Sequence, residues 1–99
     1  MSLPFTPLGT TKNITASATT SSVALPVQTE SRTVRVYNGT DVVVFIAFGI
    51  STIEAVVATS MPLGPGATEF LEAGPAVTHV AGITSAGGGT VWFTEGKGS

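Results

Sequence analysis

The sequence predicts an all-β protein: a small antiparallel β-sandwich of about eight short strands. Three observations carry this. Apolar and polar residues alternate at period two through most of the chain, which places them on opposite faces of strands. Twelve glycines and six prolines break that alternation at short intervals, the rhythm of sandwiches and barrels. Strong helix formers are scarce, and Thr, Ser and Val dominate. The strand and turn spacing fits a jelly-roll or an immunoglobulin-like topology. The Trp-between-cysteines signature of true immunoglobulin domains is missing, because there is no cysteine.

Ninety-nine residues make one domain. The expected organisation is an extended arm at 1–11, a sandwich at 12–96 and a polar tail at 97–99. Pro4, Pro7 and Gly9 exclude a regular strand from the arm. Its Leu3, Phe5 and Leu8 should dock on this domain or on a neighbour. Lys12–Ala18 is the first strand, with Ile14, Ala16 and Ala18 on one face. Thr19–Ser22 turns into Val23-Ala24-Leu25, which Pro26 stops. Arg32–Asn38 alternates cleanly, with Val34 and Val36 on one face and Thr33, Arg35 and Tyr37 on the other. Asn38-Gly39 then suits a tight hairpin turn, because both residues tolerate positive φ.

Val42–Phe48 differs from the other strands. Val42, Val44, Ile46 and Phe48 share one face, and Val43, Phe45 and Ala47 share the other. A sandwich buries one face of a strand in its core, so the second apolar face needs the arm, a loop or another subunit. Leu3, Phe5, Leu8, Val43, Phe45 and Ala47 are therefore the expected subunit interface. A weaker strand is expected at Glu54–Thr59, favoured over a helical turn by Val56-Val57. A turn follows at Met61–Gly66, then a strand at Thr68–Glu72 with Phe70 pointing inward. The last two strands are Val77–Thr84 and Thr90–Glu95, joined by a flexible Gly-rich turn at Ser85–Gly89.

Composition restricts function. Charged residues are 10% of the chain, against about 25% in an ordinary domain. No charge falls between Asn13 and Thr29, and only Glu54 between Val42 and Ser60. Either the surface is a neutral Thr/Ser coat, or neighbouring subunits cover it. Four scattered cations on a chain of net charge −2 give no footprint for nucleic acid. No apolar run approaches the length of a membrane span. The opening MSLPFTPLG lacks the features of a secretory signal, so synthesis in a cytoplasm is expected. Catalysis lacks material. His79, the one histidine, shares a face with Val77, Ala81 and Ile83 that reads as the inner one. A Ser–His–Asp set would need Asp41 beside it. Glu69 and Glu72 fall on opposite strand faces. Gly64-Pro65-Gly66 and Gly87-Gly88-Gly89 lack a phosphate-loop lysine. No enzyme, cofactor or metal site is expected. Arg35 and Tyr37 lie on one polar face, with Trp92 and Phe93 elsewhere, a weak signal for carbohydrate.

The order of segments resembles a known group. A Thr/Ser/Ala-rich opening strand (Asn13–Thr20) leads to Val23-Ala24-Leu25-Pro26, then Val34-Arg35-Val36-Tyr37-Asn38. An apolar strand closing in Phe48-Gly49 follows, then Met61-Pro62-Leu63-Gly64-Pro65-Gly66 and a final Glu95-Gly96-Lys97-Gly98. Over residues 10–98 this resembles small structural proteins of tailed bacteriophages, notably β-sandwich or jelly-roll capsid decoration (cement) proteins. Lys97 departs from the acidic residue expected there. The resemblance implies a non-enzymatic virion protein present in many copies. Its partners would be the major capsid protein or other virion subunits, with self-association as a dimer or trimer. A tail or head–tail junction component, or a host- or carbohydrate-binding module, is the alternative.

Overall fold

The computed structural model describes residues 6–7, 11–25, 33–74 and 76–97. These form β1 (Thr6–Pro7), β2 (Lys12–Ala16), β3 (Ser21–Ala24), β4 (Thr33–Asn38), β5 (Val44–Gly49), β6 (Met61–Leu63), β7 (Thr68–Glu72), β8 (His79–Thr84) and β9 (Gly89–Lys97). No helix occurs among the described residues. One antiparallel sheet runs β2-β9-β4-β7, with the two-residue β1 extending the β2 edge along β9; the other runs β3-β8-β5-β6.

The pairing pattern identifies the topology. β5 pairs β6, β4 pairs β7, β3 pairs β8 and β2 pairs β9. These four pairings nest like the rungs of one long hairpin. Rolling that hairpin up brings β4 beside β9 and β5 beside β8, which divides the strands between two sheets. The result is a jelly roll. An immunoglobulin-like fold would keep several sequence-adjacent strands hydrogen-bonded in one sheet; among the described strands only β5 and β6 are both adjacent in sequence and paired with each other.

Between the sheets lie Ile14 and Ala16 of β2, Val34 and Val36 of β4, and Val91 and Phe93 of β9. Val44 and Ile46 of β5, Leu63 of β6 and Val80 of β8 face them. The alternation in β4 is the one the sequence predicts: Val34 and Val36 are fully buried, while Thr33, Arg35 and Tyr37 are half-exposed on the outside. Fully burying each such apolar side chain contributes about 1.5–3 kcal/mol. β6, an edge strand, contains Pro62, where a missing N–H costs no interior ladder bond.

Five expectations are corrected. Asn38-Gly39 is not a hairpin turn, because β4 and β5 belong to different sheets. Gly39 is absent from the positive-φ glycines, which among the described residues are Gly66, Gly87 and Gly89. Instead the buried Asn38 side chain builds the corner. Its Nδ2 donates to the carbonyls of Val42 (2.9 Å), Leu63 (2.9 Å) and Gly64 (3.0 Å). Its Oδ1 accepts from the N–H (2.9 Å) and hydroxyl (2.7 Å) of Thr40. One amide thus ties the β4–β5 corner to the β6–β7 corner.

Glu54–Thr59 is no strand. The Val56 carbonyl accepts from the N–H groups of Thr59 and Ser60, and the Ser60 hydroxyl accepts from the Val56 N–H. A serine competing for local backbone groups closes a turn despite the β-branched Val56-Val57. Met61–Leu63, expected within a turn, is β6. The Gly-rich stretch before β9 passes close to the end of β2, since a Cβ on Gly88 would overlap the Ala16 carbonyl. Thr84 Oγ1 donates to Gly87 O (2.6 Å) across the same turn.

Finally, two strand faces are reversed. Leu71 pairs with the buried Val34, so Phe70, opposite Arg35, points outward and is 42% exposed. In β8 the inward positions are Val80, Gly82 and Thr84. Val80 is fully buried, and a Cβ on Gly82 would meet Ile14 of the opposing sheet at 2.7 Å. His79, Ala81 and Ile83 therefore face outward.

Candidate functional site

Catalytic candidates do not assemble. His79 begins β8, and its Nδ1 shares a 2.8 Å hydrogen bond with the neighbouring Thr78 hydroxyl. Asp41 precedes β5, whose first residue, Val44, pairs with Thr84 at the far end of β8. Five residues of strand, roughly 17 Å, separate the two ends. Glu69 and Glu72 are both exposed and project from opposite faces of β7. Among the described residues no three His, Cys, Asp or Glu side chains are grouped to hold a metal ion.

The doubly apolar β5 leads instead to a loop. Phe45 and Ala47 face outward from the four-stranded sheet, paired with Ile83 and Ala81 of β8. Ala81 nevertheless has no exposed surface. The chain's own loop at 50–60 lies along this face. Ile53 lies against Gly49 on that outer face, its Cδ1 2.9 Å from where a Gly49 Cβ would stand. Two residues on, the Ala55 N–H donates to the Thr20 hydroxyl (2.8 Å) just before β3. The loop therefore crosses the sheet diagonally, from the end of β5 over β8 to the start of β3. Small outward residues, Ala47, Gly49 and Ala81, let it lie close.

This places the expected interface residues. Phe45 and Ala47 are half-buried within the chain itself. Val43, just ahead of β5, stays 40% exposed. Leu3, Phe5 and Leu8 lie outside the described residues; between them, Thr6 and Pro7 pair with Lys97 and Gly96 of β9. The loop itself now presents apolar surface. Ile50 is 57% and Val56 48% exposed, and Val57 is exposed beside it. The sequence signal for this patch was Val56-Val57 in a segment with one charge, read as a strand.

The other sheet carries a second surface. Trp92, 41% exposed, is directly opposite Tyr37 on the outer face, where the sequence reading kept them apart. Phe93 points the other way and is fully buried. Arg35 shares that outer face and holds its guanidinium 5.9 Å from the Tyr37 ring centroid, within range of a cation–π attraction. The signal for this cluster is parity: 35, 37 and 92 all occupy outward positions once β4 and β9 are paired.

No protein-family model matches this chain, and neither does any curated protein or any solved structure.

Proposed function

We propose that this chain is a non-enzymatic structural subunit of a tailed-bacteriophage virion, of the capsid-decoration kind, working by packing against other subunits. One observation supports it most. The 50–60 loop is fixed at both ends and through its middle, yet it holds Ile50, Val56 and Val57 out in solvent. Three exposed aliphatic side chains on one short loop that carries a single charge favour a role in contact. Preformed aliphatic surface low in charge is what the dry centre of a protein–protein contact requires. The jelly roll suits this role, since it recurs in capsid domains, though it serves lectins and cupins as well.

Copies of the chain would bridge shell subunits from the outside, with the loop as contact and the arm at 1–11 as a strap. Self-association about a symmetry axis would let one decoration unit sit over a symmetric junction. The test is rebinding of purified chain to particles stripped of it. The wild-type chain is expected to rebind, and Val56→Ser with Val57→Ser is expected to rebind at least tenfold more weakly with an unchanged thermal midpoint. Equal rebinding by the double variant would remove the loop from the contact.

A further inference from the structure

The exposed apolar side chains sort by chemistry. Of the aliphatic ones, Ile50, Val56 and Val57 lie on the loop over the four-stranded sheet, Met61 is on β6 of that sheet and Val43 just precedes β5. The aromatic ones, Trp92 and Phe70, lie on the outer face of the five-stranded sheet, with Tyr37 half-exposed beside them. We propose that this second face is a saccharide-binding platform, independent of the packing surface. Trp92 and Tyr37 would stack on the C–H faces of neutral sugar rings, while Arg35 and the threonine hydroxyls around them would bond sugar hydroxyls.

Geometry supports a preformed platform. Tyr37 and Trp92 occupy directly opposed positions on neighbouring strands, about 5 Å apart at the backbone. Both rings lie near Gly39. A Cβ there would stand 3.4 Å from Trp92 Nε1, 3.4 Å from Tyr37 Cε2 and 2.8 Å from the Thr90 carbonyl. The tight approach at Gly39 is to the Thr90 carbonyl, while both rings stand at ordinary contact distance from that position. Arg35 steadies Tyr37 from the neighbouring outward position of β4. The rings are therefore positioned before any ligand arrives, which lowers the entropy lost on binding.

The surroundings favour sugar over protein. Thr68 is opposite Tyr37, and Thr94 is opposite Arg35. The Thr11 and Thr94 hydroxyls share a 2.9 Å hydrogen bond at the rim. A dry protein contact would have to pair each of these groups or lose their hydration. A sugar brings hydroxyls at matching density along with apolar ring faces. Charge narrows the ligand further. Among the described outward positions of β2, β4, β7 and β9, Arg35 and Glu72 are the charged residues, one of each sign. A neutral hexose oligomer fits that balance, and a polyanion does not.

Trp92 is the single tryptophan, so intrinsic fluorescence reads this face alone. The folded chain is titrated with cellohexaose, maltohexaose and N-acetylchitohexaose. A saturable change is expected with at least one of them. Its Kd should be on the order of 0.1–1 mM, because an open platform buries little of its ligand. Tyr37→Ala should weaken it at least tenfold, and Val56→Ser should leave it unchanged. Calorimetry on Trp92→Ala should show no binding, with circular dichroism verifying the fold of each variant. No saturable response to any of the three sugars would overturn the proposal, as would binding that survives both aromatic substitutions. So would a wild-type dimer in sedimentation that Trp92→Ala returns to monomer, which would make this face a contact between copies. None of these outcomes bears on rebinding through the loop.

Discussion

Two residues carry more of this fold than their hydropathy suggests. Asn38 is a fully buried amide whose five bonds stitch two corners together. Each buried polar group left unpaired costs about 1–3 kcal/mol. Asn38→Leu strands several at once, so a loss of about 3 kcal/mol or more is expected in urea denaturation. That is a large share of the 5–15 kcal/mol typical of a domain. Asn38→Asp keeps the acceptor, loses the donor and sets a carboxylate against three carbonyls; it should be at least as damaging. An unchanged urea midpoint in both variants would mean the network is incidental. Gly88 is the second case. Gly88→Ala drives a methyl into the Ala16 carbonyl, and the neighbouring Gly87 and Gly89 already hold positive φ. A large drop in thermal midpoint or a failure to fold is expected; a midpoint within a degree or two of wild type would contradict the packed turn. Neither role was legible in the sequence. Asn-Gly has a strong local meaning as a hairpin turn, and only the three-dimensional pairing of corners overrides it. A glycine run likewise reads the same whether it is loose or pressed on another strand.

At the scale of elements, most strands were legible, because a core face that alternates announces itself. Val34 and Val36 did so, as did Ile14 and Ala16. Faces were misread where the inward side is poor in carbon. In β8 the inward Gly82 and Thr84 alternate with outward Ala81 and Ile83, so hydropathy points the wrong way. In β7 Phe70 outweighs Leu71 in size yet lies outside. The doubly apolar β5 was legible as needing cover, but the loop that lies along its outer face was not. That loop uses Ile53 and Ala55, whose positions depend on the Ala55–Thr20 hydrogen bond between residues 35 apart. Ile53→Ala should cost about 1–2 kcal/mol, less than a fully buried truncation, since Ile53 is half-buried. Thr20→Val should speed hydrogen exchange at the Ala55 amide without a comparable effect in β4. Exchange rates equal to wild type would show the loop held by something else. The arm makes its own prediction. Deleting residues 2–8 removes only the short β1 pairing from the described fold, so it should weaken particle binding far more than thermal stability. Equal losses in both would make the arm part of the fold and not a strap.

For the whole molecule, the all-β sandwich followed from alternation and turn spacing, whereas the choice of jelly roll required the strand order. Nested pairing from β5–β6 out to β2–β9 joins strands far apart in sequence, and no local pattern encodes it. The candidate surfaces were legible in the same uneven way. Low charge and an apolar β5 pointed to contact with neighbours; the aliphatic loop proposed as that contact is visible only in the three-dimensional path of the chain. The molecule then presents two unlike faces, aliphatic over one sheet and aromatic among hydroxyls over the other, with a rigid sandwich between them. The proposed role requires that the chain be part of a particle. Quantitative mass spectrometry of gradient-purified phage particles from the source lysate tests it most directly. Copies comparable in number to the major shell protein are expected; absence of the chain from purified particles would overturn the proposed role.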